Sequence, residues 1–137
     1  MIKLIAGLKG SGKTKTLIQL TNDAGNNSKG AVVCIEKGDK LIHEIKYTVR
    51  LIDVDMFDIT SAQSLYGFVC GIIASNHDIS DIFIDSVLKI CSNDLDMFEK
   101  FVDTLHTFLK VNKLDINVVM TASIDRMDLT PALIKYL

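Results

Sequence analysis

Gly7-Leu8-Lys9-Gly10-Ser11-Gly12-Lys13-Thr14 is the stretch of this sequence best equipped for chemistry. It fits the pattern G-x-x-x-x-G-K-[ST], in which glycines let a loop turn tightly and aim its backbone N–H groups inward at an anion. Lys9, Gly10, Ser11 and Gly12 would wrap the phosphates of a nucleotide. The Lys13 ammonium reaches the outer two phosphates, and the Thr14 hydroxyl completes the shell of a Mg²⁺ ion. A helix opening at Lys13 adds roughly half a positive charge from its dipole.

Three further side chains are candidates for the same chemistry. Asp85 ends the apolar run Ile82-Phe83-Ile84, a position from which a carboxylate holds Mg²⁺ through water and accepts a hydrogen bond from Thr14. Glu36 ends Ala31-Val32-Val33-Cys34-Ile35 and can polarise a water for attack on a γ-phosphate, with a solvated loop carboxylate as the plain alternative. Thr121 can hydrogen-bond the γ-phosphate or the attacking water, or be no more than a satisfied strand-end hydroxyl. Arg126 reads as a surface arginine, with a finger towards a neighbouring subunit's nucleotide as the sharper alternative. His77 and His106 have no ligand spacing, so no metal besides Mg²⁺ is expected. Asn112-Lys113-Leu114-Asp115 imitates the guanine-reading N-K-x-D motif, but it precedes a strand instead of following one. No D-x-x-G glycine follows Asp85 either, which disfavours a GTPase.

The phosphate loop needs a strand before it and a helix after it. The apolar run 2–6 and a helix from 13 to about 23, stopped by Gly25-Asn26-Asn27-Ser28, supply them. Residues 31–35, 49–54, 82–85 and 116–121 are the other strands, β-branched and largely unalternating, as strands covered on both faces are. A short helix is expected over 40–47, and Thr60 with Gln63 has the form of a capping box opening a helix to about 75. Apolar residues at 95, 98, 101, 102, 105, 108 and 109 trace one face of a long helix, and Thr130-Pro131 begins a short last one. Alternating strands and helices imply a mostly parallel five-stranded sheet with helices on both faces. Ligands bind outside the carboxyl ends of such strands. That rule puts Glu36, Lys37, Asp39, Lys40, Asp55, Asp85, Ser86, Lys89, Thr121, Ser123, Asp125 and Arg126 on the phosphate loop's edge, and Arg50 on the far one.

At 137 residues, nearly half of them hydrophobic and only one of them proline, the chain reads as one domain spanning 1–137. The net charge of −2 gives no general electrostatic case for nucleic acid or membrane binding. Cys34, Cys70 and Cys91 form no C-x-x-C pair and read as reduced thiols of a cytoplasmic protein. The longest apolar stretch, 65–74, is too short to span a bilayer. Its Gly67-x-x-x-Gly71 spacing is expected to let a helix pack closely on the sheet.

The order of these pieces resembles the RecA/KaiC-like branch of P-loop ATPases over most of the chain, and small stand-alone bacterial ATP-binding proteins. Gly12-Lys13-Thr14 comes first, then Val33-Cys34-Ile35-Glu36, where that family carries its catalytic glutamate. Phe83-Ile84-Asp85-Ser86 and Val118-Val119-Met120-Thr121 follow, the latter where RecA-like strands end in a polar γ-phosphate sensor. The resemblance implies a three-layer P-loop fold with strand order 5-1-4-3-2 or near it, and the Asp85 strand not adjacent to the loop's strand. It also implies ATP and Mg²⁺ as ligands, Glu36, Lys13 and Thr121 as catalytic residues, and His43 where the family stacks an aromatic on adenine. No glycine-rich DNA-binding loop follows Asp85 or Thr121, and Ala122 replaces a polar coupling residue. The expected function is Mg-ATP binding with slow or partner-stimulated hydrolysis, in a protein that can form homo-oligomers. A regulatory module without significant turnover is the second reading. A small-molecule kinase is third, because Arg50 and Arg126 are the only arginines and no insertion is long enough for a lid.

Overall fold

In the computed structural model, which describes residues 1–137, five strands form one parallel sheet. They are β1 (Ile2–Gly7), β2 (Ala31–Glu36), β3 (Arg50–Asp53), β4 (Ile79–Ile84) and β5 (Asn117–Ser123). The helices are α1 (Lys13–Asn27), α2 (Ala62–Ser75), α3 (Val87–Ile90), α4 (Leu95–Val111) and α5 (Pro131–Ile134). No helix is long and apolar enough to cross a membrane.

The spatial order is β1-β5-β4-β2-β3, which corrects the expected 5-1-4-3-2. β5 lies inside β1, and β3 lies outside β2. Burial explains both changes. Val118 to Ala122 of β5 are buried on both faces, so that strand needs partners on both sides. β1 instead exposes Lys3, and β3 is four residues long and begins at exposed Arg50. Short strands and exposed charges are how proteins blunt the edges of a sheet. The Asp85 strand is not adjacent to the loop's strand, because β5 separates β1 from β4; that separation is the expected one, although the order 5-1-4-3-2 itself would pair the two. The free edge of β1 is partly closed by the C-terminal segment, where the Leu4 N–H donates to the Tyr136 carbonyl at 2.7 Å.

Two apolar layers flank the sheet. Alternate strand residues Val32, Cys34, Phe83 and Val119 pack with Leu17 of α1. Their neighbours Val33, Ile35, Ile82, Ile84, Val118 and Met120 face the other way, onto Leu65 and Val69 of α2 and Phe98, Val102 and Leu105 of α4. The period of two along each strand thus divides the core into two, giving three layers.

Four local expectations are corrected. α1 runs through Gly25 to Asn27, because Gly25 serves packing and not termination: a Cβ there would meet Val49 Cγ2 at 2.8 Å. Residues 40–47 form turns instead of a helix, with the Ile42 N–H bonded back to Asp39 and the Glu44 and Ile45 N–H groups to Leu41. The capping box of α2 is Ser61 with Ser64, one residue beyond Thr60 and Gln63. Gly67 and Gly71 point away from the sheet into open space, with nothing within 4 Å of an added Cβ.

Candidate functional site

The loop between β1 and α1 turns on two glycines in the left-handed region, Gly10 at φ 86° and Gly12 at φ 84°. Side chains rarely adopt this conformation, so glycine at both positions is what keeps the backbone curled. The largely buried Lys13 lies along this loop, its ammonium donating to the Leu8 carbonyl at 2.9 Å and to Ser11 Oγ at 3.5 Å. An ammonium in that position is a donor within reach of anything held against the loop.

The sheet then assembles residues far apart in sequence. Thr14 Oγ1 donates to Asp85 Oδ1 at 3.1 Å across 71 positions. Thr121 Oγ1 donates to the same Oδ1 at 2.8 Å and accepts from the Ser86 N–H at 2.8 Å. The Asp85 N–H donates to the Ile35 carbonyl at 2.9 Å, which extends the β4 ladder by one residue and fixes the carboxylate. Ser86 sits at φ 55°, left-handed backbone in a residue other than glycine, immediately after Asp85. Strain of this kind concentrates at functional sites. Asp85, Thr14 and Thr121, inferred separately from sequence, therefore form one hydrogen-bonded cluster. A carboxylate and a hydroxyl are hard oxygen donors, and Mg²⁺ takes one or two carboxylates along with phosphate oxygens. The donor set fits that ion.

A cavity of about 530 Å³ opens over this cluster at the carboxyl ends of the strands. Lys9, Gly10, Gly12, Lys13, Thr14 and Thr121 line it, all expected from sequence. Lys15, Lys40, Ser86, Lys89 and Ser123 line it too. Strand polarity places all of these but Lys15 on the correct edge, without singling them out as ligands. Lys15 has no sequence signal beyond its place in the first turn after Thr14.

Glu36 is placed differently. It is 2% exposed, and its two carboxylate oxygens share the Leu41 N–H at 3.2 and 3.3 Å. It does not line the cavity. Burial raises its pKa above the usual carboxylate range, the Leu41 N–H opposes that, and Asp53 and Asp85 add to it. The same surroundings push the neighbouring Cys34 thiol up to about 12, burial first and then Glu36 and Asp85. All three cysteines are free thiols.

The remaining candidates lie apart. Asp53 accepts from the Gly38 and Asp55 N–H groups, and Lys37 pairs with Asp55 at 2.6 Å, so these residues brace the loop after β2. His43 is exposed and outside the cavity wall, and Arg126 is exposed in a 3₁₀ turn, Arg126–Asp128. Arg50 begins β3 on the far edge, as expected. Asn112 ends α4 ahead of β5, its side chain donating to the Phe108 carbonyl, so the guanine-motif mimic is a helix terminus. Among known proteins, no family profile matches this chain and no curated protein does.

Proposed function

We propose that the chain binds a Mg²⁺-nucleoside triphosphate, ATP included, and hydrolyses it slowly or under the stimulus of a protein partner. The observation that carries this reading is the Thr14–Asp85–Thr121 cluster at the foot of a lysine-lined cavity beside the glycine loop. Lys13 and the loop amides would hold the phosphates, and Thr14 and Asp85 would hold Mg²⁺, which neutralises phosphate charge when bound. Glu36, with its raised pKa, would take the proton of the attacking water once the loop 37–41 releases its carboxylate.

The same carboxylate favours a second reading. Because both Glu36 oxygens are engaged by Leu41 and neither borders the cavity, a nucleotide-dependent regulatory module with no significant turnover is supported by the same geometry. The first test is binding itself. Lys13→Ala removes charge-assisted hydrogen bonds of about 1.5–3 kcal/mol, so ATP affinity should fall about tenfold to a hundredfold while the fold persists. Unchanged affinity by titration calorimetry removes the basis of both readings.

A further inference from the structure

Small-molecule pockets are usually lined by apolar and aromatic side chains with a few polar groups among them. The cavity over the phosphate loop is the reverse. None of its eleven lining residues is hydrophobic, and five are lysines: Lys9, Lys13, Lys15, Lys40 and Lys89. They come from the loop after β1 with the start of α1, from the loop after β2, and from α3 after β4. The chain as a whole carries a net charge of −2, so this concentration is not a by-product of a basic composition. The two ion pairs of the molecule, Lys37–Asp55 and Lys135–Asp103, use none of the five. The aromatic side chains that pair with one another do so elsewhere: Phe57 with Phe68, Tyr66 with Phe108, and His106 with Tyr136. The cavity therefore offers a base no ring to stack on and no apolar wall to shed water against.

We propose that this site holds its ligand by the phosphate chain alone and does not discriminate the base, with Lys40 and Lys89 gripping the terminal phosphate. The ligand class is triphosphates carrying Mg²⁺: purine and pyrimidine nucleoside triphosphates alike, and inorganic tripolyphosphate. The proposal rests on the phosphate-site reading given above. In the sheet, β4 and β2 lie two and three strands from β1. At about 4.8 Å per strand, the segments bearing Lys89 and Lys40 start about 10 and 14 Å from the strand that carries the loop. They thus meet a ligand seated on the loop at its far end, where a third phosphate differs from a second.

Titration calorimetry with the Mg²⁺ complexes of ATP, GTP, CTP and tripolyphosphate tests the first part. The four affinities should agree within about fivefold. A preference above about thirtyfold for one base, or tripolyphosphate that does not displace ATP, overturns the proposal. Lys40→Met and Lys89→Met test the second part, both side chains being exposed. Each should weaken ATP about tenfold and ADP by less than about threefold, and equal losses for the two nucleotides would reject the terminal-phosphate role. Lys13-dependent ATP binding together with rejection of CTP defeats this proposal alone. Failure of every triphosphate to bind defeats the phosphate-site reading and this one with it.

Discussion

Asp85 Oδ1 accepts from both Thr14 and Thr121, so one carboxylate oxygen organises two hydroxyls from opposite ends of the sequence. Asp85→Ala would leave the buried Thr121 hydroxyl without its acceptor, at about 1–3 kcal/mol of stability. Its sharper consequence is functional: ATP binding by the parent chain should weaken on chelation of Mg²⁺, and the variant should lose that sensitivity. Calorimetry with and without chelator reads the difference, and identical Mg²⁺ dependence would reduce Asp85 to a structural cap. Glu36 is a residue whose chemistry and stability pull apart. Its folded-state pKa lies above the unfolded value, so the folded chain binds the extra proton and stability falls as pH rises from near 4.5 through the raised folded value. Glu36→Gln keeps an acceptor for the Leu41 N–H without the buried charge. It should therefore raise the melting temperature near neutral pH, by an amount that shrinks towards about pH 4. If Glu36 also activates water, the same variant should bind ATP normally yet lose at least about tenfold in single-turnover hydrolysis. A melting curve that gains nothing at neutral pH would contradict the first half, and equal hydrolysis rates would end the catalytic assignment.

At the scale of elements, the long periodic and long apolar segments are legible in the sequence and the short irregular ones are not. The apolar positions of α4 predict the buried face that the structure has, Phe98, Phe101, Val102, Leu105 and Leu109. A seventeen-residue helix repeats its signal through several turns, whereas residues 40–47 offer one turn and too little period to tell a helix from linked turns. Glycine is the most misleading letter. Gly25 reads as a stop but fits a close approach to Val49, and Gly67 and Gly71 read as a packing stripe yet face open space. Sequence cannot tell a glycine selected for its missing side chain from one that is merely tolerated. The two helical glycines make a direct test, since neither has positive φ nor any neighbour within 4 Å of a new Cβ. Gly67→Ala and Gly71→Ala should each stabilise the chain by about 0.5–1 kcal/mol, additively. Thermal or denaturant unfolding measures it, and destabilisation by either would mean that this face of α2 is covered by something in solution.

At the scale of the molecule, the site is a product of strand polarity. A parallel sheet brings every strand's carboxyl end to one edge, which is why the sequence alone suffices to assign Lys13, Thr14, Asp85 and Thr121 to one place. Strand order is less legible, because β1 and β5 are both short apolar runs, and only Lys3 marks which of them lies outside. The difference in order leaves the Thr14–Asp85–Thr121 cluster intact, since in either arrangement β1 and β4 end on the same edge of the sheet. It does change what holds the glycine loop. The strand that carries the loop is bonded to β5 on one side and to the Tyr136 carbonyl on the other. In the language of native-state fluctuations, the outer edge of β1 belongs to a subregion whose opening leaves the ladder to β5 intact and requires only detachment of the tail 130–137. The Leu4 amide should then exchange with deuterated solvent faster than the amides of β4, and a triphosphate on the loop should slow it, although the ligand would sit beyond the carboxyl end of the strand and Leu4 lies at its middle. Exchange of Leu4 at the slow rate of the sheet centre, indifferent to ligand, would show β1 to be as firmly seated as its neighbours. Otherwise the carbonyl of one residue near the end of the chain sets how often the outer edge of the glycine loop's strand meets water.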